Sequence, residues 1–248
     1  MNILKRIFKR TKDGLLDMLY PKHIKCIFCD NEINELNLYD SCEDCLKNLP
    51  RIEKDYCLHC GMPRKSGASG VCLFCKRDNL NFTVARAIFS YEGNVRKVIQ
   101  KFKYENGKYL YEPLSYYLYD YVKRSNWKFD LITFVPIHAK KLKKRGYNQA
   151  ELLASELAKK LNIPCVNLFE KLTDAKTQTK LSRQDRKKNI ENTFKLINKD
   201  IKDKNILLID DVFTTGATSD ELSKLMKNAH ASYIYVLTLA HTILKEVI

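Results

Sequence analysis

The 248-residue chain is 45% hydrophobic and carries 44 Lys and Arg against 29 Asp and Glu, a formal net charge of +15. That is enough apolar side chain for one full core with something smaller attached, and eight glycines, six prolines and no low-complexity tract exclude a disordered or fibrous chain. No stretch approaches the roughly twenty apolar residues of a membrane span or resembles a processed secretory signal, so a cytoplasmic protein is expected, and its basic excess favours polyanionic partners through counterion release.

The opening residues Ile3, Leu4, Ile7 and Phe8 alternate with Lys5, Arg6, Lys9 and Arg10 at helical spacing. Such a basic amphipathic turn suits either a membrane surface or packing against the body of the protein. Leu15, Leu16 and Leu19 after Gly14 read as a second short helix leading through Pro21 into a cysteine-rich stretch.

Four C-x-x-C pairs follow: Cys26/Cys29, Cys42/Cys45, Cys57/Cys60 and Cys72/Cys75. A C-x-x-C turn points two thiolates to one side of a knuckle, and two knuckles complete a tetrahedron around Zn²⁺ with bonds of about 2.3 Å. Taken in order, the first two pairs form one ribbon and the last two a second; interleaved pairing is the alternative. A disulfide framework suits exported chains, so two structural zinc sites are expected, each contributing on the order of 10 kcal/mol to folding with no ligand position left open for catalysis. Each four-thiolate centre carries about −2, which lowers the working charge of the chain to about +11. His59, inside the third pair, is either a spare ligand or a water-facing side chain. Cys165 stands apart and reads as a buried small hydrophobe.

From about Thr83 strands and helices alternate, the signature of a parallel sheet with helices on its faces. Thr83 to Tyr91 reads as a strand, Val95, Val98, Ile99 and Phe102 recur at helical spacing, and a Tyr-rich helix is expected from about Tyr109 to Val122. Leu131 to Val135 is a short apolar strand ending at Pro136, and Gln149 to Leu161 carries leucines at three- and four-residue steps.

The most informative stretch runs from Ile206 to Thr218. An apolar strand leads into Asp210 and Asp211, then into Thr214, Thr215, Gly216, Ala217 and Thr218, then into a helix with Leu222, Leu225 and Met226. Ligands of open α/β sheets bind beyond the carboxyl ends of strands, where loop and helix N–H groups face an anion. The threonines add hydroxyl donors and Gly216 lets the backbone approach closely. Paired carboxylates are costly beside a phosphate unless something polyhydroxylated donates hydrogen bonds to them; a ribose phosphate meets both demands.

This string resembles the phosphoribosyl pyrophosphate (PRPP) signature of the type I phosphoribosyltransferases. Within them the chain resembles the ComF family of competence proteins, on the four cysteine pairs together with Tyr91-x-Gly93, Lys101 to Tyr104, Val135 to His138, Arg145 to Ala150, and Gln178 to Asn189 with Phe194. The resemblance implies an α/β fold, the type I phosphoribosyltransferase fold of a parallel sheet with flanking helices, behind a small N-terminal zinc-ribbon domain. Residues 1–80 would form the helix and double zinc ribbon, and residues 81–248 the phosphoribosyltransferase-like domain.

By the same resemblance Asp210 and Asp211 hold the ribose hydroxyls, Thr214 through Thr218 cradle the 5-phosphate, and Pro136, Ile137, His138, Ala139 and Lys140 form the pyrophosphate loop. His138 either touches pyrophosphate or packs. Mg²⁺ is implied with PRPP, held mainly by substrate and water. Thr173 to Asn189 takes the place of a mobile basic lid, although Lys171, Thr173 and Ala175 stand where an Arg-x-Arg-x-Thr pattern is usual. No catalytic residue is singled out.

Two functions follow as expectations. One is a competence protein that handles incoming single-stranded DNA in natural transformation, with PRPP as ligand or regulator; aromatics among basic residues at Lys101 to Tyr104 and Lys108 to Tyr111 either stack bases or belong to the core. The other is an active Mg-dependent phosphoribosyltransferase transferring to an unknown nitrogen acceptor, because fold does not establish function. A zinc-ribbon adaptor docking a DNA-uptake helicase is a third.

Overall fold

The computed structural model describes residues 24–33, 37–64, 67, 70–104, 106–173, 190 and 192–243. The two N-terminal helical readings and residues 174–189 of the expected lid lie outside them. The chain packs as two compact units, Met1–Asn48 and Leu49–Ile248.

In the first unit the Cys26–Cys29 turn sits at the tip of a small antiparallel bridge between Lys25 and Glu32. Asn37 holds the approach to the next pair, its side-chain oxygen accepting from Tyr39 N and Ser41 N. Cys42 then leads into a short helix, α1 (Glu43–Asn48), which carries Cys45.

The larger unit opens with a second copy of that plan. The Cys57–Cys60 turn is flanked by a Tyr56–Pro63 bridge, and Cys72 precedes α2 (Leu73–Asp78), which carries Cys75. This knuckle is bonded to the first strand of the sheet, where Ala85 N donates to His59 O at 2.7 Å. Gly61 makes that approach possible: its φ is +72°, and a Cβ there would lie 2.7 Å from Ala85 O. The second knuckle therefore packs with the sheet, in the unit that begins at Leu49.

The elements that follow are β1 (Val84–Ser90), α3 (Gly93–Tyr104), a 3-10 turn (Gly107–Leu110), α4 (Tyr111–Arg124), β2 (Leu131–Phe134), α5 (Ala139–Arg145), α6 (Gln149–Leu161), β3 (Phe169–Lys171), β4 (Phe194–Leu196), β5 (Ile206–Phe213), α7 (Ala217–Asn228) and β6 (Ile234–His241). α3 buries Val95, Val98, Ile99 and Phe102, and α6 buries Leu153, Ala154, Leu157 and Ala158, the stripes their spacing dictates. Four strands form one parallel sheet in the order β1–β6–β5–β2. Cys165 extends it past β2 through a single parallel bridge to Ile132, and is half-buried rather than fully buried. β3 and β4 pair antiparallel apart from the sheet. Among the described residues no helix is long and apolar enough to cross a membrane.

The strand order locates the site. From β2 the chain crosses outward to the bridge at Cys165, whereas from its neighbour β5 it crosses the other way to β6. The connections part company between the carboxyl ends of β2 and β5, the topological switch point where open α/β sheets leave a crevice.

Candidate functional site

β5 runs further than its apolar residues suggest. Asp210, Asp211, Val212 and Phe213 are all strand, Asp210 lying opposite Thr238 of β6, so the carboxylates project from the sheet itself. Only Thr214, Thr215 and Gly216 form the loop, and Ala217 and Thr218 already belong to the first turn of α7. Gly216 sits at φ +80°, where a Cβ would stand 2.7 Å from Phe213 Cζ. The Phe213 ring underlies the loop and stacks on His241 at 4.8 Å. The loop is thus pressed against a fixed aromatic floor, with the N–H groups at the start of α7 directed to the open end.

Beside it, Val135 N donates to Ile209 O at 3.0 Å, which sets Pro136 next to Asp210. Pro136 is buried, Ile137 and His138 are half-buried, and Ala139 and Lys140 are exposed. His138 caps α5, its Nδ1 accepting from Lys140 N at 3.2 Å. The sequence-derived PRPP residues of the two segments therefore come together at the switch point.

The acidic pair has a partner that sequence reasoning missed. Lys103, at the end of α3, places Nζ 2.9 Å from Asp211 Oδ2 with both side chains largely buried. Burial works against the lysine's charge, but Asp211 and then Asp210 outweigh it and hold its pKa above the ordinary lysine value. Burial first, then the Asp211 charge, push Asp210 up to about 7, while Lys103, the Asp211 N–H and Lys171 of β3 pull the other way. Asp210 Oδ1 accepts that N–H at 2.8 Å.

The Arg145 to Ala150 motif fixes this lysine from below. Tyr147 Oη and Gln149 Nε2 both donate to Phe102 O, at 2.6 and 3.1 Å, satisfying a carbonyl at the end of α3 one residue before Lys103. Asn148 donates to Val135 O and caps α6, tying the same motif to the end of β2. Phe102 is fully buried, so it is core; Tyr104 is exposed and lies under the Arg145 guanidinium. No spacing in the sequence links residue 103 to residue 211. The nearest signal was a basic residue directly after the last buried position of an amphipathic helix.

The cysteines group in order. Cys26, Cys29, Cys42 and Cys45 form one set and Cys57, Cys60, Cys72 and Cys75 another, the sulfurs of each set lying within 4.8 Å of one another. Sulfur separations of 3.6 Å for Cys29–Cys42 and 3.9 Å for Cys57–Cys75 and Cys60–Cys72 match the edge of about 3.8 Å that a zinc tetrahedron with 2.3 Å bonds requires. In the second set the neighbouring thiols, Cys60 foremost, hold Cys57 far below an ordinary thiol pKa and push Cys60 far above it. Cys72 N also donates to Cys57 Sγ at 3.2 Å. Both sets fit tetrathiolate zinc. His59 neither joins the set nor faces water: its Nε2 pairs with Phe82 O at 2.9 Å and its ring packs on Phe82.

The chain just beyond the second set is also linked to α7. Asn81, just beyond α2, donates both its backbone and side-chain N–H groups to Asp220 Oδ1 at 2.7 Å, and Phe82 meets Phe213 edge-on at 5.9 Å.

Comparison with known proteins gives two family matches: a double zinc ribbon domain over residues 15–77 and a phosphoribosyl transferase domain over residues 147–246. Competence protein F of Haemophilus influenzae is 30% identical over 228 residues, 88% of this chain and 97% of that protein. Competence protein ComFC of Bacillus subtilis is 25% identical over 210 residues, 78% of this chain and 84% of that protein. Among solved structures, the glutamine PRPP amidotransferase of B. subtilis matches at 18% identity with a TM-score of 0.35, over 50% of this chain and 25% of that one.

Proposed function

Because this chain belongs to the competence protein F and ComFC family, we propose that it handles incoming single-stranded DNA during natural transformation in the cytoplasm, with PRPP and Mg²⁺ held over Asp210, Asp211 and the loop from Thr214 to Thr218. The observation that carries the PRPP reading is a buried carboxylate pair with its own lysine, set at a strand-order reversal beside an amide-rich loop. Two ribose hydroxyls hydrogen-bond to the carboxylates, beside which Lys103 stands. The 5-phosphate accepts from the N–H groups that open α7 and from the threonine hydroxyls. Pyrophosphate lies along Pro136 to Lys140, where the exposed lysine side chains of α5 add positive charge. Mg²⁺ would bridge PRPP oxygens and water rather than occupy a protein cage.

Calorimetry with PRPP and Mg²⁺ tests the site: heat is expected from the wild-type chain and none from Asp210→Ala/Asp211→Ala, and equal heat from both would refute the assignment. DNA handling is tested by binding of single-stranded oligonucleotides across a salt series, with a slope that shows phosphate contacts. Absence of binding at low salt would refute it.

One observation favours transferase activity as a second reading. The match to a phosphoribosyl transferase domain over residues 147–246 includes Asp210, Asp211 and the loop from Thr214 to Thr218. Pyrophosphate released with one member of a panel of nitrogen acceptors would establish turnover; retained PRPP binding without release would leave PRPP as a ligand.

A further inference from the structure

A second cavity of about 430 Å³ lies at the opposite edge of the sheet, against β1, between the second cysteine knuckle and the end of α4. That is the size of a small-ligand cleft, and its wall includes Arg51, Arg86, Arg124, Tyr56, Tyr121 and Glu53. Arg86 is fixed by donating to Ala85 O and Leu58 O, with its guanidinium 4.7 Å over the Tyr56 ring. Arg51 stands over the rings of Phe89 and Tyr117 at 5.5 and 5.4 Å, and among the described residues no carboxylate pairs with it. Among the described residues Arg124 bonds a backbone carbonyl, Asp120 O, and no carboxylate. Among the described lining residues Glu53 is the one acid set against these three cations, so the wall is positive.

From this cavity a row of rings runs to the surface. Tyr121 meets Trp127 at 5.4 Å, Trp127 stacks on Tyr235 at 4.9 Å, and Tyr235 lies nearly parallel to Tyr233 at 6.3 Å. Tyr233, at the outer end, is 53% exposed. Trp127 is the only tryptophan in the chain.

Guanidinium groups at one end and a staircase of aromatic rings at the other suit a ligand that alternates negative charge with flat rings. A small anion would use the arginines and ignore the row, and a duplex would keep its bases hidden. We propose that this surface is the track for single-stranded DNA, with phosphates on Arg51, Arg86 and Arg124 and bases against Tyr233 and its neighbours. The assignment rests on the DNA-handling reading above and gives it a location. Tyr235 precedes His241, which pairs with the last residue before the phosphate loop, by six strand positions, about 20 Å along the sheet. The aromatic end of the track therefore lies well away from the phosphate loop.

The test uses the full chain with zinc bound, a fluorescein-labelled oligo(dT), and anisotropy at several salt concentrations, with Trp127 emission followed in parallel. Wild type should bind with quenching of Trp127. Arg51→Gln/Arg124→Gln should weaken binding at least tenfold and make the plot of log K against log salt shallower by about 1.4, two phosphate contacts at roughly 0.7 each. Tyr233→Ser, a surface change that leaves the fold intact, should weaken binding about fivefold or more. The proposal is overturned if wild type binds but the arginine and tyrosine variants match it in affinity and slope with Trp127 emission unmoved. A loss confined instead to Lys141→Gln/Lys144→Gln would also overturn it and place DNA on the basic cavity beside Tyr104. No binding by wild type would refute the DNA-handling reading itself.

Discussion

Lys103→Met should show how the acidic pair is kept in the fold. The lysine and Asp211 are 2.9 Å apart and their side chains are 21% and 12% exposed, which at an effective dielectric of about 20 is a Coulomb attraction near 6 kcal/mol before desolvation is charged against it. Removing one partner of a buried pair costs about 3–5 kcal/mol. Partial exposure of the lysine reduces this to about 2–3 kcal/mol, roughly 5–10 °C in Tm for a unit of this size. The loss depends on pH with a definite sign. Asp210 already titrates near 7, with burial and Asp211 pushing it up and Lys103 pulling it down. Its folded pKa lies above the unfolded one, so its contribution to stability is present in acid and is lost as pH rises through about 7. Without Lys103 that titration moves higher still, and the deficit relative to wild type should grow from pH 5 to pH 8. Thermal unfolding at both pH values measures it. Lys103→Met/Asp211→Asn, which removes both charges of the ion pair and leaves Asp210 free to keep its proton, should recover most of the stability at pH 5. A deficit equal at pH 5 and pH 8, or a double variant no better than the single, would refute the reasoning.

Gly216→Ala combines a left-handed φ, costing about 1–2 kcal/mol, with displacement of the Phe213 ring beneath the loop; thermal unfolding should show at least that loss, and the heat of PRPP binding should fall with it. Cys60→Ser and Cys26→Ser should each leave one zinc fewer per chain by metal analysis. Only the former should lower the main unfolding transition, because Cys60 belongs to the knuckle bonded to β1 whereas Cys26 belongs to the other compact unit.

The cysteine pairs, strands β1, β2 and β5 and the loop after β5 were legible because each rests on local chemistry, whereas β3, β4 and β6 were not read. A C-x-x-C turn fixes two sulfurs within one knuckle. The apolar run of β5 reports burial on both faces, and Thr214 to Thr218 announce themselves by residue type. Helix α6 was read to its ends, from an amphipathic stripe that begins after the Asn148 cap. What the local pattern could not give was where β5 stopped, since Asp210 and Asp211 are poor strand formers kept in the strand by pairing with β6.

Taken alone, the sequence determined that this chain carries two sets of cysteines spaced for zinc and an acidic pair before a loop of threonines and glycine. Tertiary structure decided which groups meet across the fold. Lys103 reaches Asp211 only because Tyr147 and Gln149 hold the end of α3, and the second knuckle joins the larger unit only because Gly61 lets two backbones touch. The row from Tyr121 to Tyr233 is assembled from α4, the segment after it and β6. These contacts join residues far apart in the chain, and no local spacing encodes them; they exist only when packing of the sheet and its helices brings the partners together.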